Sequence, residues 1–162
     1  MKKSISALIV VCILAAFGCQ QTIGQTKKYD PKRKLSKTPE EWKKKLSANE
    51  YNIMVESGTE PPFQNAYYNN HEKGVYVSAA TGEVLFSSDD KYDSGTGWPS
   101  FVKPVDPKKI EVVQDNSYGM TRDEVIERST GLHLGHVFDD GPADRGGKRY
   151  CMNSGALKFV KK

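Results

Sequence analysis

From Gly74 to Phe159 the chain is written in short runs with a hydrophobic period of two, and that pattern limits the possible folds more than any other feature. In "GVYVSAATGEVLFSS", Val75 and Val77 share one face of a strand, Thr81-Gly82 supplies a turn, and Val84-Leu85-Phe86 returns. Further runs of the same kind are "KIEVVQD", "GMTRDEVIE", "HLGHVFDD", "RYCMNSG" and "ALKFV". Gly and Asp turns separate them, which suits hairpin connections; parallel strands would need long crossovers, and no βαβ alternation or internal repeat is present. The expected class is mainly β, with antiparallel sheets.

The stretch ahead of these runs reads as two short helices. Thr38-Pro39-Glu40-Glu41 combines a capping threonine, proline at the first helical position and acids in the first turn, and the helix runs to about Leu46. Ser47-Ala48-Asn49-Glu50 is a capping box, after which Tyr51, Met54 and Val55 fall on one face until Gly58 stops the helix. Residues 38–162, about 125 in all, suit one compact domain.

The N-terminus is of a different kind. Residues 1–18 place Lys2 and Lys3 before an apolar run from Ile5 to Phe17 and close on small residues, the layout of a bacterial secretory signal; the run is too short for a secure membrane-spanning helix. Cys12 is expected to leave with it. Cys19, after Ala16-Phe17-Gly18, resembles the cysteine of a lipoprotein lipobox, which becomes the lipidated N-terminus; the alternative is ordinary cleavage that leaves Cys19 as a free thiol on a tail. Residues 19–37 are then expected as the lipidated cysteine and a basic tether, with six Lys or Arg against one Asp from Gln20 onward. The expectation is a monomer in the cell envelope, tied to a membrane by its lipid, periplasm-facing or at the surface. Gln20 replaces the aspartate that commonly retains lipoproteins at the inner membrane, so the outer membrane is expected. The formal charge of +4 falls to +2 without Lys2 and Lys3, which gives no reason to expect a nucleic-acid partner.

Three stretches carry more unusual residues than packing requires: "YDSGTGWPSF", "HLGHVFDDGP" and "RYCMNSGALKF". Trp98 between Gly97 and Pro99 reads alone as a corner tryptophan. His133 and His136 are three apart, so on a regular strand they face opposite sides and only a loop or bulge brings them together. A lone Cys151 reads alone as a small buried hydrophobe. In combination they say more, because an exported chain normally pairs its cysteines or loses them. A retained single thiol asks for a use. Arg149, two residues away, shares its face on a strand, and a cation there favours the thiolate. Two other readings fit these residue types: a Cys151–His136–Asn153 thiol hydrolase, and a lipid-anchored module binding zinc or copper through Cys and His.

Together the three stretches resemble the type B methionine-R-sulfoxide reductases, whose motifs "SGxGWPSF", "HLGHVFxDGP" and "RYCxNxxxLxF" stand at residues 94–101, 133–142 and 149–159. "EEWKKKLSANEY", "GTEPPF" and "GVY" extend the likeness over nearly all of residues 38–159. The resemblance implies thiol-dependent reduction of the R epimer of methionine sulfoxide in peptides or proteins, with no cofactor. It places the nucleophile at Cys151, the proton donor to the sulfoxide oxygen at His136, and groups that hold substrate or water at His133 and Asn153. Trp98 matches the ring that receives the substrate methyl, and Arg149 the arginine beside the nucleophile. Two departures stand out. Where many members carry four zinc-binding cysteines, this chain has Ser78, Thr81, Glu127 and Thr130, which implies a zinc-free form. Where others carry a resolving cysteine, it has Thr96, so the implied reductant is an external thiol, thioredoxin-like or small.

Overall fold

The computed structural model describes residues 29–162. The expected signal sequence and Cys19 lie outside the described residues. Helices α1 (Pro39–Lys45) and α2 (Ala48–Met54) begin as their sequences dictate. Thr38 and Ser47 each accept a hydrogen bond from the amide three residues on, at 3.3 Å, while Glu41 and Glu50 reach back to the cap amides at 2.7 and 2.8 Å. Each box satisfies amide groups that a helix start otherwise leaves unpaired. The helices bury Trp42, Ile53 and Met54, and the capping residue Val55 after α2 is buried with them. The regular α2 stops at Met54, short of Gly58, because the backbone turns left-handed at Ser57 (φ 56°) first.

Among the described residues nine strands follow: β1 (Gly74–Ser78), β2 (Val84–Ser87), β3 (Lys91–Tyr92), β4 (Ser100–Phe101), β5 (Ile110–Asp115), β6 (Arg122–Glu127), β7 (His133–Phe138), β8 (Arg149–Met152) and β9 (Leu157–Lys161). All pairings are antiparallel, in a three-stranded sheet of order β2-β1-β9 and a six-stranded sheet of order β3-β4-β8-β7-β6-β5. The class is the mainly β, antiparallel one expected, with two short helices in front. The two-residue strands β3 and β4 are too short to carry a period.

Aromatic rings join the sheets. Phe86 of β2 stacks on Phe101 of β4 at 4.5 Å between centroids, and Tyr76 of β1 meets Phe101 edge-on at 5.0 Å. All three are fully buried, and each contributes roughly 1.5–3 kcal/mol relative to exposure. Tyr76 also decides which face of β1 turns inward: Gly74, Tyr76 and Ser78 are buried, and the Val75–Val77 face is the more open one.

Residues 29–37, the end of the stretch expected as a tether, lie against the domain. Arg33 donates to Glu111 and to the Arg128 carbonyl, both at 3.0 Å, and the Leu35 amide donates to the Ser129 carbonyl at 2.8 Å. Composition marks this segment as polar but does not reveal that Glu111 and the turn after β6 offer acceptors in reach.

Candidate active site

Register across the six-stranded sheet aligns Tyr92, Ser100, Cys151, His136, Glu124 and Val113 in one row. Residues directly opposite on antiparallel strands point to one face, with Cβ atoms about 4.5–5.5 Å apart. Cys151 is therefore flanked by Ser100 on one side and His136 on the other. Arg149, two residues before it on β8, shares that face.

A bulge brings in the second histidine. Val125 pairs with Gly135 and Ile126 with His133, so Leu134 is the extra residue of β7. The extra residue breaks the alternation and turns His133 to the side of His136; their ring centroids are 5.3 Å apart. Gly135 is needed there, because a Cβ would lie 2.2 Å from the Cys151 carbonyl oxygen.

The two histidines are held differently. His133 is 1% exposed, its Nδ1 lies 2.6 Å from Glu124 Oε1, and its Nε2 lies 3.3 Å from Asn153 Nδ2. Asn153 accepts the Glu60 amide through Oδ1, so its NH2 group is the side that meets His133 and the Leu134 carbonyl. Both ring nitrogens of His133 are thereby occupied within the protein. His136 is half-buried, with Nε2 3.0 Å from Asp115 Oδ2. Burial lowers its pKa from the usual histidine value, against the hydrogen bond to Asp115, which raises it. Asp115 is itself pushed up by burial, yet hydrogen bonds from Ser117, His136 and Arg122 hold it well below the usual carboxylate range.

Burial likewise pushes the Cys151 thiol up, opposed by the Arg149 charge and by hydrogen bonds from Thr96, Ser100 and Arg149. Burial wins because Arg149 is committed elsewhere: Nε and Nη2 each reach Asp140 at 2.8 Å, and the guanidinium lies 4.4 Å from the Phe138 ring centroid. The cation is where the sequence places it, but burial outweighs it at Cys151. Thr96 and Ser100 both bond Ser94 Oγ, at 2.8 and 2.7 Å, which ties the "SGTGWPS" loop into a hydroxyl chain beside Cys151.

Trp98, within that loop, is half-buried, its Nε1 donating to the Glu60 carbonyl at 3.0 Å. Gly97 (φ 87°) lets the Phe63 amide reach its carbonyl at 2.9 Å; a Cβ would sit 2.7 Å from the Phe63 nitrogen. Glu60 also accepts the Ser154 and Gly155 amides at 2.6 and 2.8 Å, so one residue links the tryptophan to the segment after Cys151.

All six candidate residues of the domain thus come from one neighbourhood: Cys151, His136, Trp98 and Arg149 around the row, His133 and Asn153 behind it. Sequence reasoning missed Glu60, Asp115, Glu124 and Asp140. Asp115 reads as a turn residue and does bond the Ser117 amide at 2.9 Å, which hides its second task. A stronger signal was Glu124, an acid inside the β-run "RDEVIE" and 8% exposed in the fold. The hydrolase triad is not assembled, since Asn153 meets His133 while His136, which faces Cys151, is held by Asp115. No group of three or more His, Cys, Asp or Glu is placed to hold a metal ion among the described residues.

Ser78, Thr81, Glu127 and Thr130 do come together. Glu127 is fully buried and accepts Thr81 Oγ1 at 2.5 Å and Thr130 Oγ1 at 2.7 Å, with Ser78 bonding it as well. Each hydroxyl in turn accepts backbone amides, Thr81 from Glu83, Thr130 from Leu132, and Ser78 from Ala80 and Thr81. Burial pushes the Glu127 carboxyl up, against those hydrogen bonds.

Residues 46–161 match the SelR domain family. Over 127 residues, 78% of this chain and 96% of the relative, the sequence is 51% identical to the peptide methionine sulfoxide reductase MsrB of Leptospira interrogans.

Proposed function

The chain belongs to the SelR family of type B methionine-R-sulfoxide reductases, and from that premise we propose how its own residues carry out the reaction. The enzyme reduces the R epimer of methionine sulfoxide to methionine. In our reading the Cys151 sulfur gives up its proton and bonds to the sulfoxide sulfur; the protonated oxygen then passes to the Cys151 sulfur, so that the methionine S–O bond and the transient S–S bond break, an S–O bond forms on Cys151 as a sulfenic acid, and methionine leaves. The sulfoxide is reduced and the thiol is oxidised by the same two electrons. An external thiol then forms a mixed disulfide with Cys151, releasing water, and a second thiol restores Cys151–SH.

The observation that carries this reading is the register pair Cys151–His136, which sets a sulfur nucleophile directly opposite an imidazole on one face. Sulfoxide oxygen leaves only when protonated, and a placed general acid is typically worth about 10² to 10⁴ in rate. His136 is the acid, because both nitrogens of His133 are taken; His133 and Asn153 hold the site's back wall. Trp98 receives the methyl group. Burying it contributes roughly 0.8 kcal/mol, and sulfur against the ring about 0.3–1.5 kcal/mol more. A methyl wall on one side and the acid on the other distinguish the two configurations at sulfur.

The domain is a zinc-free form. Three of the four positions are hydroxyls, poor zinc ligands, and Glu127 already accepts bonds from its neighbours through both oxygens. Thr96 leaves the sulfenic acid to an external donor, thioredoxin-like or small. The leader-like residues 1–18 and Cys19 support export as a lipoprotein anchored through Cys19, and Gln20 favours the outer membrane, where a monomer repairs oxidised exported proteins.

The test is turnover of separate R and S epimers of a peptide-bound methionine sulfoxide with dithiothreitol as donor. The R epimer is expected to be consumed and the S epimer left, with Cys151→Ser inactive on both. Equal use of both epimers, or an active Cys151→Ser enzyme, would contradict the reading.

A further inference from the structure

We propose that Asp115 is a positioning residue for the acid, a carboxylate that fixes the His136 ring with Nε2–H directed at Asp115 and leaves Nδ1 as the nitrogen that serves the substrate oxygen. The proposal rests on the reading of His136 as the acid. It follows from how firmly Asp115 is itself held. Oδ1 accepts the Ser117 amide at 2.9 Å, and Oδ2 accepts Arg122 Nη2 at 2.7 Å while meeting His136 Nε2 at 3.0 Å. Donors from the β5–β6 turn, from β6 and from β7 converge on one carboxylate, whose side chain is 16% exposed. An acceptor held in this way dictates the ring's rotation and its tautomer.

The groups facing His136 make the charge balance explicit. Glu124 on β6 and Cys151 on β8 lie directly opposite it, His133 stands beside it on β7 across the bulge, and Arg122 on β6 bears on it from behind Asp115. Burial, His133 and Arg122 all work against the imidazolium, and Asp115 works for it. Asp115 thus sustains the acid form while Arg122 restrains it.

Two variants push in opposite directions. The rate of methionine formation in a single turnover, followed against pH, should fall as His136 loses its proton. In Asp115→Asn that falling limb should move to lower pH by about one unit, a loss of roughly tenfold at a given pH on the limb, with recovery toward the natural rate in acid. In Arg122→Gln it should move upward. Side-chain ¹⁵N spectra of His136 provide the readout that does not depend on turnover: the natural enzyme should show the Nε2–H tautomer, and Asp115→Asn should lose that preference. An Nδ1–H tautomer in the natural enzyme would overturn the proposal, as would losses of equal size at every pH in both variants. If His136→Ala keeps the full rate, the acid reading fails and the tautomer alone decides the positioning; if His136→Ala is slow while Asp115→Asn behaves like the natural enzyme, the positioning fails by itself.

Discussion

Burial raises the Cys151 pKa above the ordinary thiol value, outweighing the opposing charge of Arg149, which is also paired with Asp140. A raised thiol pKa lowers the thiolate fraction and with it the rate of attack on a general alkylating agent. This yields a prediction about charge. Asp140→Asn frees the Arg149 cation and should speed alkylation of Cys151 by iodoacetamide several-fold near pH 8, measured on intact mass. Arg149→Met should slow it, and no response in either variant would remove Arg149 from the account of the thiol. The strand alternation places Arg149 on the face of Cys151 from sequence alone. That Asp140 claims the guanidinium is not legible there, because it depends on the turn after β7 folding back over β8.

The bulge in β7 and the clasp around Glu127 are properties of elements. An i, i+3 histidine pair poses a question of strand geometry that periodicity leaves open, and Leu134 answers it by breaking the pairing of β6 with β7. The clasp joins the β1–β2 turn to the β6–β7 turn through side-chain hydrogen bonds. Glu127→Ala leaves buried hydroxyls without their acceptor and should cost about 1–3 kcal/mol in urea unfolding, with Glu127→Gln losing less. The pH dependence has a definite sign. Glu127 is raised in the fold from its ordinary value of 4.5, so its contribution is complete below that value and is lost as pH rises through the folded one. The natural domain should therefore weaken over that window relative to Glu127→Gln. Parallel stability curves for the two would show that Glu127 is not the titrating group. The positions of this clasp are legible in the sequence only as missing cysteines; that hydroxyls and a carboxylate saturate one another requires the two turns to meet.

At the scale of the molecule, the site draws on Glu60, the 94–100 loop, the β5–β6 hairpin, the bulged β7 and β8, all locked to the six-stranded sheet. The candidate residues were legible because three motifs, each ordinary alone, coincide with one family in order. The helix starts were legible because capping is local. What was not legible is the network behind the motifs and the docking of residues 29–37, since both arise from pairings between segments distant in sequence. The central claim is that one cysteine does the chemistry of the domain without an internal partner. The measurement that reaches it most directly is intact mass and methionine yield after one equivalent of R sulfoxide, on residues 29–162 without reductant. One methionine formed and one oxygen gained on Cys151, trapped by a dimedone-type reagent, are expected, whereas Thr96→Cys should lose two hydrogens to a disulfide if the loop sets the two Cα atoms within roughly 7 Å. Methionine formed by the natural domain with no oxygen on Cys151 would contradict that claim.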